Sequence, residues 1–294
     1  MTAKRFDIET SRGIFAAIAV GDHDAPLILC LHGFPDHPPS FVPFATELAG
    51  RGFRVVMPWL RGYAPSPTDG PVDVSSLRRD AGEMLVELTK DSSQTFVVGH
   101  DWGAVITYAL LASKEVPVAA ACALSVPHPV AFVKNAIRSP AQLVRSRYMV
   151  RFQRIGADDE VAKNDYAAIR DLWAKWSPGY RMTAESWREL RQTLAASGPR
   201  PLDYYRQLPR LSTLKTFRTL RQTRIATPMT TIFGDRDGCI DADMANGSGR
   251  YFSSEFALEV MEGVGHFIHL EAPAELASRV ALRLRSARAA RSVE

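Results

Sequence analysis

Residues 95–111 read Thr95-Phe96-Val97-Val98-Gly99-His100-Asp101-Trp102-Gly103-Ala104-Val105-Ile106-Thr107-Tyr108-Ala109-Leu110-Leu111. An apolar run gives way to a tight turn, and the turn opens into a helical pattern. Within the turn, glycines stand two positions before and two positions after Asp101. The frame Gly-x-nucleophile-x-Gly holds its central side chain on a strained strand-to-helix turn at the top of a sheet. A simpler reading also exists, because such turns favour glycine and an aspartate there can cap the helix. No Gly-x-Ser-x-Gly occurs in the chain, so no serine competes for the position.

Outward from this turn, the first half of the chain alternates strand and helix patterns. Strands are expected at Lys4 to Thr10, Gly13 to Val20, Leu27 to Leu31, Arg54 to Met57, Thr95 to Val98 and Val118 to Leu124. Helices are expected at Ser40 to Ala49, Ser75 to Lys90 and Gly103 to Ser113, with Ser75-Ser76 offering a cap for the second. Such alternation predicts an α/β protein with a mostly parallel central sheet and helices on both faces. The first two strands, joined at Ser11-Arg12-Gly13, read as a hairpin added to that sheet. From about Pro127 the pattern turns to amphipathic helices, among them Asp158 to Lys175 and Thr183 to Ala196, punctuated by Pro178, Pro199 and Pro201. Strand patterns return at Pro228 to Phe233 and Phe256 to Val260, before a closing helix from Pro273. The economical arrangement is a core domain of residues 1–127 and 221–294, interrupted by an inserted helical cap domain of residues 128–220 that packs as a lid.

With 294 residues, 46% of them hydrophobic and 23% charged, the chain reads as a globular protein able to bury a sizeable core. Its net charge of +4 comes largely from arginines, many between Arg138 and Arg224. They are mixed with acids and no nucleic-acid motif accompanies them, so a solvated basic face is expected and no nucleic-acid partner. The start Met1 to Asp7 has no apolar segment behind it, and runs such as Pro26 to Leu31 are too short to span a bilayer, so neither a signal peptide nor membrane insertion is expected. Cys30, Cys122 and Cys239 are odd in number, widely spaced and without partners at metal spacing, which fits a cytoplasmic, reduced protein without structural metal. Cys239 reads as a small buried hydrophobe. Nothing calls for an organic cofactor, and the oligomeric state, a homo-oligomer included, stays open.

In an open parallel sheet, ligands sit outside the carboxyl ends of the strands, so catalytic groups should follow strands directly. Gly234-Asp235-Arg236-Asp237 follows the strand ending at Phe233, and Gly265-His266-Phe267 comes shortly after the one ending near Met261. A loop aspartate is usually a turn former and a loop histidine usually solvated. Here, however, both follow strand ends in chain order behind Asp101. His32-Gly33-Phe34-Pro35, Arg61-Gly62-Tyr63-Ala64-Pro65-Ser66, Gly99-His100-Asp101-Trp102-Gly103 and Gly265-His266-Phe267 together resemble the epoxide hydrolases of the α/β-hydrolase fold, with haloalkane dehalogenases as the sister group. The similarity spans nearly the whole chain. Nucleophile, acid and base follow in the order of that fold, with aspartate in place of serine. The resemblance implies Asp237 as the acid, three residues after Gly234. Asp235 is its rival, Asp241 and Asp243 stand further behind, and a proline that many relatives carry nearby is missing. It also implies an oxyanion hole built from the backbone N–H groups of Phe34 and Trp102, both taken as substrate-binding positions. Pro35 sets its own φ and would hold that loop in one shape. His32 and His100 flank the site and read as structural hydrogen-bonders.

An aspartate nucleophile changes the chemistry. Serine attacking an sp³ carbon would leave an ether that water cannot easily cleave, whereas a carboxylate leaves an ester and is already ionised at neutral pH. His266 is then free to deprotonate water, while the acid orients and stabilises the imidazolium. Backbone donors would stabilise the tetrahedral oxyanion by roughly 3–4 kcal/mol each. The leaving group separates the two sister groups, since halide departs without a proton and an epoxide oxygen needs one. In the epoxide hydrolases a pair of lid tyrosines reaches the ring oxygen. Tyr148-Met149-Val150-Arg151-Phe152-Gln153 resembles the segment carrying the first and Asp203-Tyr204-Tyr205-Arg206 the second, which implies Tyr148 and Tyr205. Tyr204 is a live rival, Tyr63, Tyr166 and Tyr180 are weaker ones, and lid packing is the alternative for each. Phe152, Trp173, Trp176 and Trp187 suit either an apolar pocket or the core of the lid itself. The expected activity is conversion of a small apolar epoxide and water to a vicinal diol. A haloalkane or haloacid dehalogenase with the same Asp-His-Asp set is the alternative. Against the fluoroacid-processing branch, Trp102 stands where that branch carries arginine. A binding protein without turnover is a third reading, but it has no need of all three groups.

Overall fold

The computed structural model describes residues 2–89 and 94–291. Eight strands form one sheet: β1 (Lys4–Thr10), β2 (Gly13–Val20), β3 (Leu27–Leu31), β4 (Arg54–Pro58), β5 (Thr95–His100), β6 (Ala120–Leu124), β7 (Met229–Gly234) and β8 (Phe256–Met261). Their spatial order is β1-β2-β4-β3-β5-β6-β7-β8. The β1/β2 hairpin and the β2/β4 pair are antiparallel, and every other pairing is parallel. Every residue of β3, β5, β6 and β7 is buried, which is why these strands read as continuous runs without alternation. The edge strand β1 keeps most of its side chains in contact with solvent.

On the two faces, α1 (Val42–Ala49) packs with α12 (Pro273–Arg291), which follows the short α11 (Ile268–Glu271), and α2 (Val74–Leu88) packs with α3 (Trp102–Ser113). The helix expected from Ser40 begins as a 3-10 turn over Pro38–Phe41, and the α-helix proper starts at Val42. The cap of α2 is Asp73, whose carboxylate accepts from the Ser75 and Ser76 amides at 3.0 and 3.3 Å, so the two serines are capped rather than capping. The expected end of that helix at Lys90 lies outside the described residues.

Between β6 and β7 run α4 (Pro129–Ala136), α5 (Pro140–Arg145), α6 (Arg147–Arg151), α7 (Ala157–Trp176), α8 (Ala184–Ser197), α9 (Arg200–Arg206) and α10 (Leu211–Gln222). The helix expected over Asp158 to Lys175 is interrupted, since Asn164, Asp165 and Tyr166 take left-handed φ of 50°, 58° and 58°. Asn and Asp tolerate that region, and Arg191 Nη1 holds the Asp165 carboxylate at 2.8 Å. α10 returns to the sheet side and packs on α2, α3 and α4. Among the described residues no helix is long and apolar enough to cross a membrane, and the three cysteines are buried and free. The loops after β3, β5, β7 and β8 all leave the carboxyl edge of the sheet, where the candidate groups sit.

Candidate active site

Asp101 follows the last residue of β5 with φ 50° and ψ −118°, at the point where α3 begins. Its side chain makes no capping bond, so the capping explanation for this aspartate fails. The flanking glycines are required by close approach rather than by left-handed backbone. A Cβ on Gly99 would stand 2.2 Å from the Gly103 carbonyl oxygen, and one on Gly103 would stand 2.0 Å from that of Leu31. This crowding turns the Asp101 side chain away from its own helix and toward the loop after β3. There the Phe34 amide donates to Asp101 Oδ1 at 2.7 Å. A Cβ on Gly33 would lie 2.4 Å from the same oxygen and 2.7 Å from the Trp102 nitrogen, so both expected oxyanion donors border one spot that only glycine leaves open. Phe34 acts here through its backbone, since its ring packs edge-on against Phe152 and Tyr205.

His266 lies 3.7 Å from Asp101, Nε2 to Oδ2, and its Nδ1 is 2.8 Å from Asp237 Oδ2. The other oxygen of Asp237 accepts from the Cys239 and Ile240 amides at 2.7 and 2.9 Å, which fixes the carboxylate. Asp235 is exposed and accepts from the Gly263 amide instead, so of the two rivals Asp237 is the one beside the histidine. Burial would lower the His266 pKa, but the charges of Asp237 and Asp101 outweigh it and raise it to about 10. Burial would likewise raise Asp101, and His266 with the Phe34 amide brings it below the usual carboxylate value.

Three contacts on His266 were not legible in the motifs. The His100 ring nitrogen Nε2 and the Ser125 hydroxyl both bond the His266 carbonyl oxygen, at 2.9 and 2.7 Å. The Trp176 carbonyl, at the end of α7, accepts from the amides of both Gly238 and His266 at 3.0 Å. Sequence offers one faint signal for this clasp: Gly238 and Gly265 are glycines because Lys175 and Ser177 pass too close for a Cβ. His32 is structural, as expected, with Nδ1 on the Gly33 carbonyl and Nε2 accepting from the Leu60 amide. Asp36, His100 and His269 are the group of buried potential ligands found among the described residues, their donor atoms within 4.8 Å of one another. His269 Nε2 is already engaged with Asp36 Oδ2 at 3.1 Å.

A cavity of about 390 Å³ opens above Asp101. Asp101, Trp102, Tyr148, Met149 and Tyr205 form its inner wall, with Val105, Phe132 and Ile240 among the apolar side chains around them. The rings of Tyr148 and Tyr205 meet edge to face at 5.6 Å, and Trp102 meets Tyr205 likewise at 5.3 Å. The Tyr148 hydroxyl is 3.6 Å from Cys239 Sγ, and the buried Tyr205 hydroxyl has no hydrogen-bond partner among the described residues. Burial and the Asp101 charge hold both phenols well above their ordinary pKa, so both are protonated. Tyr204 faces the other way and donates to the Arg61 carbonyl at 2.6 Å. Tyr63 is buried against His32 and Tyr204. Phe152, Trp173, Trp176 and Trp187 stand outside the cavity wall; Phe152 packs on Phe34 and Tyr205, Trp176 on Tyr148 and His266, and Trp173 stacks on Phe267 at 3.4 Å.

A model of the Alpha/beta hydrolase family matches residues 28–279. The chain is similar to Epoxide hydrolase 4 of Mus musculus, at 28% identity over 272 residues that cover 88% of this chain and 73% of that protein. It is 25% identical over 309 residues to Epoxide hydrolase A of Mycobacterium tuberculosis, covering 92% and 93%. Potato (Solanum tuberosum) epoxide hydrolase I superposes with a TM-score of 0.80 at 23% identity, over 97% of this chain and 100% of that one, a likeness of fold. With a family match across most of its length, a mostly parallel sheet of this strand order and a tight Gly-x-Asp-x-Gly turn at the end of β5, the chain belongs to the alpha/beta hydrolase family.

Proposed function

We propose that the protein hydrolyses an apolar epoxide to a vicinal diol through an ester on Asp101. The observation that carries this reading is the pair of protonated phenols, Tyr148 and Tyr205, in the wall of the same apolar cavity as the Asp101 carboxylate. A halide needs no acid. An alkoxide does, and two phenols placed opposite a carboxylate are suited to supply the proton as the ring opens. The names of the relatives, epoxide hydrolases from mouse and M. tuberculosis, agree with it.

Asp101 Oδ1 is held by the Phe34 amide, which leaves Oδ2 to attack the ring carbon. Oδ1 then becomes the ester carbonyl oxygen, already against the donor that stabilises the oxyanion of the second step. Esterification also removes the Asp101 charge that holds the His266 pKa up. Burial then works against the imidazolium, whose proton makes up for the one a phenol gave to the ring oxygen; the neutral imidazole becomes the base that activates water, oriented by Asp237. Residues 1–127 and 221–294 serve in this reading as the hydrolase core, and residues 128–220 as a cap that brings the phenols.

A single turnover in ¹⁸O-water with an aryl epoxide tests the route. One heavy oxygen is expected in the Asp101 carboxylate, and an unlabelled Asp101 would sink the covalent step. Chloride release from a chloroalkane without diol formation from the epoxide would move the assignment to a dehalogenase.

A further inference from the structure

The cavity opens to the surface between α4 and α10, where Val133 and Leu214 line it and are 48% and 54% exposed. Ile137, Val144, Val150 and Leu211, from α4 to α6 and α10, also present large apolar side chains to solvent. Single exposed hydrophobics need no explanation, but a group of them on the elements that frame one opening does.

Charge on these elements is one-sided. Residues 129–157, which carry α4 to α6, contain six lysines and arginines and no acid; residues 204–234, which carry α10, contain six more and again no acid. The remaining residues hold 24 lysines and arginines against all 32 acids, a net charge of −8. The overall +4 therefore comes from these two stretches, within which the expected mixing of arginines with acids breaks down. Neighbouring elements neutralise part of it: Asp241 meets Arg145, Glu160 meets Arg151, and Asp158 and Asp203 meet Arg206. Lys134, Arg138, Arg147, Arg154, Lys215 and Arg218 are exposed and have no ion pair among the described residues.

We propose that this mouth is a docking surface for an anionic phospholipid bilayer. The aliphatic side chains enter the headgroup boundary, the surrounding cations meet lipid phosphates, and the cavity opens against the lipid phase from which an apolar substrate enters. A basic face with aliphatic side chains between its cations is the pattern of interfacial membrane binding. A nucleic acid would leave those side chains uncovered and finds no aromatic stacking platform there. Docking is read without turnover, so it stands or falls separately from the proposed reaction.

The test is co-sedimentation of the full chain with phosphatidylcholine vesicles with and without phosphatidylglycerol. Binding is expected only with phosphatidylglycerol and is expected to weaken in high salt. Each cation at such a surface is worth roughly fivefold in partitioning, so Arg138→Glu, Arg147→Glu, Lys215→Glu and Arg218→Glu together should cost at least about a hundredfold. Ile137→Ser with Leu211→Ser should weaken binding at unchanged charge, with the circular dichroism spectrum of each variant verifying its fold. Absent vesicle binding, binding undiminished in the charge variant, or RNA binding or salt-sensitive self-association in place of vesicle binding overturns the proposal.

Discussion

Tyr204 and Tyr205 are neighbours on α9, each 1% exposed, and their hydroxyls face different surroundings. Phenylalanine at either position changes one oxygen atom and leaves the packing intact. At Tyr204 the change deletes the 2.6 Å bond to the Arg61 carbonyl and leaves a buried acceptor without its donor. That costs about 1–3 kcal/mol. For a chain of this size it should lower Tm by roughly 2–6 °C. At Tyr205 the hydroxyl makes no hydrogen bond of full geometry among the described residues, its interactions with Trp102 and Tyr148 being weaker, and relief of its desolvation offsets the lost contacts. The Tyr205→Phe variant should therefore melt within about 1 °C of the parent. Activity should divide the other way. Removing one of two proton donors should lower kcat for an aryl epoxide by about a hundredfold, whereas Tyr204→Phe should retain most of it below its Tm. Thermal melts by circular dichroism and steady-state diol formation read both quantities. If Tyr205→Phe destabilises as much as Tyr204→Phe, or if Tyr204→Phe is inactive at an unchanged Tm, the division of labour drawn from these two hydroxyls is wrong.

Three more outcomes are expected. Asp101→Asn removes one of the two carboxylates that raise His266 to about 10, so the imidazole pKa should fall, read from its ¹⁵N shifts; an unmoved titration would contradict the coupling. Gly238→Ala places a Cβ 1.9 Å from the Lys175 carbonyl oxygen, which should separate α7 from the Asp237 loop, lower Tm by several degrees and abolish turnover; near-parental kinetics would show the clasp to be dispensable. Stability should peak near pH 6.5. Burial holds His32 and His37 at about 4, His128 at about 3, and His100 and His269 well below their ordinary value, so their contributions are complete above 6.5 and are lost as pH falls toward 4. The raised His266 does the reverse: its contribution is complete below 6.5 and lost as pH rises through about 10. Between about pH 4 and 8, below the range where the thiols and phenols of the unfolded chain titrate, several protons on the acid side against one on the other, each about 1.4 kcal/mol per pH unit, should make the acid limb steeper, and a Tm profile with the opposite asymmetry in that window would be incompatible with these assignments.

Much of the fold was legible because the signals were local. The sealed runs of β3, β5 and β7 and the hairpin at Ser11-Arg12-Gly13 need only the residues themselves to be read. Expectations failed where a neighbour outside the window decided the outcome. Asp73 displaced Ser75 as the cap because a carboxylate two residues upstream reaches both amides. The break in α7 at Asn164–Tyr166 involves Arg191 on another helix, and the aromatics between β6 and β7 were absorbed by contacts such as Trp173 on Phe267. At the site, the elbow and the order of acid and base were visible as motifs. Asp237 over Asp235 and Tyr205 over Tyr204 came from the resemblance alone, since neighbours of the same type do not reveal orientation; the structure has Asp237 beside His266 and Tyr205 in the cavity wall. The carbonyl of Trp176 carried no signal at all, since every residue has one, and only the two glycines it helps to crowd hint at it.

The aspartate at the elbow therefore has a consequence beyond the bond it forms. A serine in its place would be neutral, and His266 would feel one carboxylate, Asp237. With Asp101 ionised it feels two, and burial is not enough to keep it neutral. The raised pKa favours the cationic form of His266 in the resting site, a form that cannot take a proton from water. In the proposed reaction, ester formation would cancel one of the two charges, and the same burial that was outweighed would then favour the neutral imidazole. On this proposal water is activated only after there is an ester for it to attack, and the order of the two half-reactions would follow from the charge of Asp101 itself.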